Sequence, residues 1–123
     1  MSDDLQNLQG TWNIISLEIE GQTVPAGMLG AARIVIQNGN FVSQGMGATY
    51  EGTFEVDSAK SPKTFNMNFT AGPEKGNMSP GIYELDGDTW KICLALRGNE
   101  RPTMFATAPG SGHARETLKR AAR

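Results

Sequence analysis

The sequence predicts an all-β fold, a small antiparallel up-and-down β-barrel of eight or nine strands. Groups of Gly, Asn, Asp and Pro interrupt the 123-residue chain at short intervals, as turns do. The segments between these groups alternate apolar and polar residues, as half-buried strands do. Helical periodicity is confined to the N-terminus and the region around residues 26–29, which excludes parallel crossover units. A meander that closes on itself removes exposed edge strands, so we favour a barrel over a sandwich.

The chain begins with a predicted helical turn over residues 1–9. Leu5 and Leu8 fall on one face of this turn, and Gly10 ends it. We expect the turn to plug or cover the barrel, and residues 121–123 to form a frayed tail. A mass of 13.2 kDa fits one domain over residues 1–123 and leaves no room for a second.

The first predicted strand, residues 10–20, changes phase along its length. Trp12 and Ile14 share one parity, whereas Leu17 and Ile19 have the other. A β-bulge near Ile14 would insert one residue, bring both pairs to the same face and bend the strand. Such a bend suits a closed sheet.

The remaining strands follow from the alternation and from the turns that bound it. In the clearest example, Phe54 and Val56 fall on one face while Thr53 and Glu55 fall on the other. The predicted strands after the first are residues 32–37, 41–46, 48–57, 64–70, 80–86, 89–95, 102–107 and 114–120.

Several strings of the sequence resemble a known family. They are LQGTWNIISLEIEGQTVP, YEGTFEVD and TAGPEKGNMSPGIYELDGDTWKICLALRGNERPTMF. The similarity runs from about residue 8 to residue 120 and points to an uncharacterised lipocalin-like, calycin-type family known from planctomycete-type bacteria. The resemblance implies a small calycin-type barrel and no established activity.

A shorter resemblance concerns closure of the barrel. Gly10 and Trp12 are similar to the Gly-x-Trp of the first lipocalin strand, and Arg120 then corresponds to the arginine that crosses this tryptophan, with Arg115 as the alternative. A guanidinium over an indole face would close the narrow end of the barrel. The role implied for these residues is structural.

Composition excludes several classes of function. A net charge of -2 and a pI near 5.3 provide no basic surface for nucleic acid, and no apolar run approaches the length of a membrane span. Cys93 is the single cysteine and His113 the single histidine, which excludes an intrachain disulfide and a thiolate zinc site. We predict no metal and no cofactor.

The N-terminal sequence MSDDLQNLQGTW is acidic and polar, unlike the basic and then apolar start of a secretory signal. We therefore expect a cytoplasmic protein, or an exported one from which the signal has been removed.

The barrel interior is either filled by side chains or hollow enough for one small ligand. Gly52 and Ala106 would leave space, and Met67 offers an adaptable wall. Arg101 is the candidate polar anchor for a ligand carboxylate, although it could instead pair with a nearby carboxylate or a turn carbonyl. The candidate ligand-binding residues are Phe54, Phe65, Met67, Tyr83, Trp90, Arg101 and Met104.

No residue pattern indicates catalysis. Ser111 and His113 lie close together in a glycine-rich loop without an orienting acid, and Asp86 and Asp88 flank a glycine as hairpin turns do. The isolated Cys93 has no activating neighbour in the sequence. We predict no catalytic residues.

The sequence therefore predicts a non-catalytic, lipocalin-like module that binds a small apolar or amphipathic molecule. The long segments 20–31 and 71–80 would form the rim of its mouth. The alternative is a solid barrel that acts through its loops and outer face as a protein-interaction or immunity-like module, and a cofactor-free isomerase or cyclase is a more distant one. No protein partner is indicated.

Overall fold

Nine strands and two short helices form the chain in a computed structural model that describes residues 4–45, 48–96 and 100–121. Each helix has four residues, and no helix in these ranges is long and apolar enough to cross a membrane. The elements in chain order are α1 (Asp4–Asn7), β1 (Gly10–Ile19), β2 (Gln22–Thr23), α2 (Ala26–Leu29), β3 (Arg33–Gln37), β4 (Asn40–Gly45), β5 (Ala48–Asp57), β6 (Lys63–Ala71), β7 (Met78–Asp86), β8 (Thr89–Ala95) and β9 (His113–Arg120).

The strands form a closed antiparallel barrel. β1 pairs with β3, each later strand pairs with the next one along the chain, and β9 returns to pair with β1. These eight strands close the barrel, and β2 adds a two-residue ninth strand to the end of β1. The predicted up-and-down barrel is therefore confirmed.

The β-bulge expected in β1 is present. Ile14 pairs with Leu118 and Ser16 with Thr117, so one residue of β1 has no counterpart on β9. That residue is Ile15, whose side chain is 48% exposed. Because of the bulge, Ile14 and Leu17 both face the barrel interior, although a regular strand would place residues three apart on opposite faces.

One end of the barrel is closed by α1 and by the side chain of Arg120. Its guanidinium carbon lies 4.3 Å from the ring centroid of Trp12, which is the geometry that the lipocalin resemblance implies. The same guanidinium donates hydrogen bonds to the carbonyls of Asn7 and Gln9, at 2.7 and 3.0 Å, and to the carboxylate of Asp88. Arg120 therefore ties the last strand to the end of α1.

Gly10 lies beside this contact. Its φ of +117° is a conformation that side-chain-bearing residues rarely adopt, and the position of a Cβ there would be 3.7 Å from Arg120.

A second polar group holds the start of α1 on the barrel. The carboxylate of Asp4 accepts hydrogen bonds from the Tyr83 hydroxyl at 2.7 Å and from Lys63 Nζ at 2.9 Å. Burial acts to raise the pKa of Asp4, but these two hydrogen bonds and the charge of Lys63 lower it below its ordinary value. Burial, and then the bond to Asp4, raise the pKa of Tyr83. This end of the barrel has the plug that the sequence predicts.

The predicted strand at 102–107 is wrong. Residues 100–112 contain no strand and form a long connection across the outside of the barrel, which we call the outer strap. β8 pairs directly with β9, which leaves no edge between them for another strand. The strap covers Cys93, whose Sγ lies 3.7 Å from the Ala106 carbonyl, and Arg115 binds the Phe105 carbonyl.

The other strand boundaries agree with the prediction to within two residues. Parts of three predicted segments lie outside the described residues, namely 1–3 of the helical turn, 46 at the end of a strand and 122–123 of the tail.

Candidate functional site

The interior of the barrel has a packed half and a hollow half. In the packed half, next to α1, the ring of Phe54 lies 5.5 Å from that of Phe65 and 5.7 Å from that of Trp90, measured between centroids. Trp12 meets Trp90 edge-on at 5.5 Å. Tyr83 adds a further edge contact to Phe65. These aromatic side chains pack the closed end of the barrel.

The hollow half is a cavity of about 680 Å³ at the opposite end. It lies where β1, β4, β6 and β8 end, so the connections that leave these strands surround its mouth. The predicted rim segments 20–31 and 71–80 are among these connections, and Glu74 of the second one lines the cavity. Most of the wall is apolar and includes Leu17, Ile34, Phe41, Met67, Phe69 and Leu94.

Small side chains keep this half hollow. Ala32, Ser43, Ser79 and Ala114 line the cavity on four different strands or strand ends. On three of these strands, the packed half carries the larger inward residues Ile36, Tyr83 and Leu118. The difference in side-chain volume, with one backbone architecture throughout, explains why only one half is filled.

Gly52 has a different role from the one that the sequence suggested. A Cβ at this position would collide with the carbonyl oxygen of Asn68 and lie 2.9 Å from the ring of Phe41. The glycine thus allows close approach of β5 and β6 at an irregularity in their pairing, between Glu51 and Gly52. It does not contribute space to the cavity.

Glu116 is the most unusual polar residue of the cavity wall. The inward positions of β9 are Ala114, Glu116 and Leu118, of which the first two line the cavity and the third belongs to the packed core. Glu116 therefore lies on the floor of the cavity, where packed and hollow halves meet. Its Oε1 is buried and has no hydrogen-bond partner among the described residues.

Burial raises the pKa of Glu116 to about 7. Its strand neighbours are Leu17 on β1 and Ile92 on β8, neither of which can donate a side-chain hydrogen bond. Because burial disfavours the charged form, the protonated form is favoured at acidic pH and the ionised form is reached near neutrality.

The structure distributes the sequence-predicted ligand residues over three places. Met67 lines the cavity. Met104 was expected inside the barrel, but it lies on the outer strap and is 65% exposed, because 102–107 is not a strand. The four aromatic candidates belong to the packed half beneath the cavity: Phe54, Phe65, Tyr83 and Trp90.

Arg101 does not line the cavity. Its Nη1 donates to the strand carbonyls of Phe65 and Gly81, both at 2.8 Å, and its Nη2 donates to Oδ1 of Asn66 at 2.7 Å. These bonds hold the guanidinium against the outside of β6 and β7, where it fastens the outer strap. Arg101 was expected to bind a ligand carboxylate, but the structure places it outside the cavity in a structural role.

The remaining polar candidates form no catalytic arrangement in the described residues. Ser111 Oγ accepts from the backbone of His113, whose Nε2 lies 3.0 Å from the Glu100 carbonyl. Cys93 is buried beneath the strap, and this burial raises the pKa of its thiol. Within the described ranges, no three His, Cys, Asp or Glu side chains are grouped to hold a metal ion.

Comparisons of the chain with family models, with curated proteins and with solved structures found no match.

Proposed function

We propose that this protein binds one small, largely apolar molecule inside its barrel, as a non-catalytic, lipocalin-like module. The observation that carries the proposal is the apolar cavity of about 680 Å³. Binding sites for small molecules commonly have volumes of about 300 to 1,000 Å³ and predominantly apolar walls with a few polar groups. The cavity meets both criteria.

The closed end supports the same proposal. Arg120, Trp12 and α1 close one end with stacked and hydrogen-bonded groups, so a ligand would enter through the opposite mouth. This arrangement also supports kinship with the lipocalin-like family that the sequence resembles. A solid barrel acting only through its surface would need no hollow half.

Ligand binding is tested with the neutral fluorescent probe N-phenyl-1-naphthylamine. We expect saturable binding with one-to-one stoichiometry and an increase in fluorescence as the probe leaves water. Ser43→Trp places an indole in the cavity, because Ser43 lines it and pairs with the cavity residues Ile34 and Tyr50. This variant should bind the probe at least about tenfold more weakly, since the bulk competes for the same volume.

Thr53→Trp is the matched control. Thr53 is exposed on β5, so the variant adds the same indole outside the barrel and should keep the native affinity. Equal binding by both variants, or no saturable binding by the native protein, would contradict the proposal and leave the surface-interaction module as the better account.

A further inference from the structure

We infer that the molecule bound in the cavity carries a basic amine, which forms an ion pair with the carboxylate of Glu116. This inference rests on the proposed function and adds the chemical class of the ligand. It follows from the place of Glu116 on the cavity floor and from the charges that surround it.

The first argument is the unpartnered carboxylate. Glu116 lines the cavity, its Oε1 is buried, and none of the described residues gives that atom a hydrogen bond. A buried carboxylate oxygen without a partner costs stability, and native structures usually satisfy such atoms. A ligand that donates to Glu116 from within the cavity would supply the missing partner.

The second argument is the charge of the wall. Among the described lining residues, the ionisable ones are Glu116, Glu74 from the connection between β6 and β7, and Tyr50 from β5, and none is Lys, Arg or His. In the described part of this wall, a ligand carboxylate would therefore meet no positive side chain, and it would lie near the carboxylate of Glu116. An ammonium group would meet a charge of the opposite sign at Glu116.

The two strands that flank Glu116 place no positive side chain beside its carboxylate. β1 and β8 present Leu17 and Ile92 to it. The charged residues nearby on these strands and on β9 face outward: Lys91 is exposed, and Glu18 pairs with Arg115 at 3.4 Å. In such apolar surroundings, a charge-assisted hydrogen bond is stronger than one to a neutral donor.

The wall and floor together describe an amphipathic ligand. Its apolar body would contact the aliphatic and aromatic wall, and its amine would reach the floor. Because burial raises the pKa of Glu116 to about 7, an amine should bind more tightly as the pH rises through neutrality and the carboxylate ionises.

Three probes of matched size test the inference: 4-phenylbutylamine, 4-phenylbutanol and 4-phenylbutanoate, titrated by calorimetry. At pH 8.5, where the amine is still protonated, we expect it to bind about tenfold or more tightly than the alcohol, and the carboxylate to bind most weakly. At pH 5.5 the advantage of the amine over the alcohol should largely disappear.

Two variants assign the effect to one residue. Glu116→Gln keeps the shape of the side chain and removes a buried charge, so it should fold, lose about tenfold in amine affinity at pH 8.5 and change alcohol affinity less than twofold. Glu74→Gln is the control for the second acidic residue and should affect amine affinity less than threefold.

Equal affinity for the amine and the alcohol would overturn the amine inference, as would loss of the amine preference in Glu74→Gln alone. The proposed function has a separate readout, because the neutral naphthylamine probe binds without an ammonium group. Binding of that probe with no amine preference would leave the cavity function standing and reject only the ligand class, whereas absence of binding by all probes would reject both.

Discussion

Replacing Trp12 with alanine is expected to lower the free energy of unfolding by about 3 to 5 kcal/mol. The side chain is fully buried, its ring meets Trp90 at 5.5 Å, and its Nε1 donates to the Leu8 carbonyl at 2.9 Å. Truncation would leave a cavity at the closed end and remove the surface on which Arg120 lies. Urea denaturation monitored by far-ultraviolet circular dichroism measures the loss.

Two further variants identify the cause of this loss of stability. Trp12→Phe keeps most of the volume and removes the hydrogen bond, so its loss should be clearly smaller. Ile15→Ala truncates the exposed bulge residue of the same strand and should cost less than about 1 kcal/mol. A loss below about 1 kcal/mol for Trp12→Ala would show that the closed end does not depend on this packing.

The free energy of unfolding should decrease as the pH rises from 5 to 8, relative to a Glu116→Gln variant. The ordinary pKa of a glutamate, 4.5, applies to the unfolded chain, whereas burial raises the pKa of Glu116 to about 7 in the folded protein. Between these pH values the folded state binds the proton on Glu116 more strongly than the unfolded state does. This proton stabilises the folded state, and the stabilisation is lost as the pH rises. From pH 5 to pH 8, the difference in free energy of unfolding between the native protein and Glu116→Gln should change by on the order of 2 to 3 kcal/mol.

The comparison with Glu116→Gln isolates one group, because all other titrating residues occur in both proteins. Urea titrations at several pH values with the cavity empty provide the measurement. A constant difference between the proteins from pH 5 to pH 8 would mean that Glu116 is solvated and that its pKa is ordinary.

The sequence contained enough information to predict the barrel. Period-two alternation and turn residues located eight of the strands, and the phase change in β1 indicated a bulge near Ile14, where the structure has it. These features depend on local chemistry, which a single sequence records directly. The approach of Arg120 to Trp12 is a long-range contact, and the family resemblance supplied that expectation.

The outer strap could not be predicted in the same way. Residues 102–107 begin with a proline and contain apolar side chains, as an edge strand can, but a strand there needs a free sheet edge. Closure between β1 and β9 and direct pairing of β8 with β9 remove that edge, and both are properties of the whole barrel. Arg101 and Met104 were placed wrongly for this one reason.

The sequence left open whether the barrel is filled or hollow, because the residues that line the cavity include a set of small ones. Ala32, Ser43, Ser79 and Ala114 come together only after the barrel has closed. Glu116 did leave a trace in the sequence, since it occupies the same parity as Ala114 and Leu118 in the last strand. An acidic residue in the inward phase of a barrel strand is the local sign of a polar group inside.

The most direct test of ligand binding inside the barrel is an isotope-filtered nuclear Overhauser experiment on protein labelled at the methionine methyl groups. Of the methionines in the described residues, only Met67 lines the cavity, whereas Met28, Met78 and Met104 are exposed. Bound N-phenyl-1-naphthylamine should give cross-peaks to the Met67 methyl, identified by its loss in Met67→Leu. Cross-peaks to the three exposed methionines without any to Met67 would contradict binding inside the barrel.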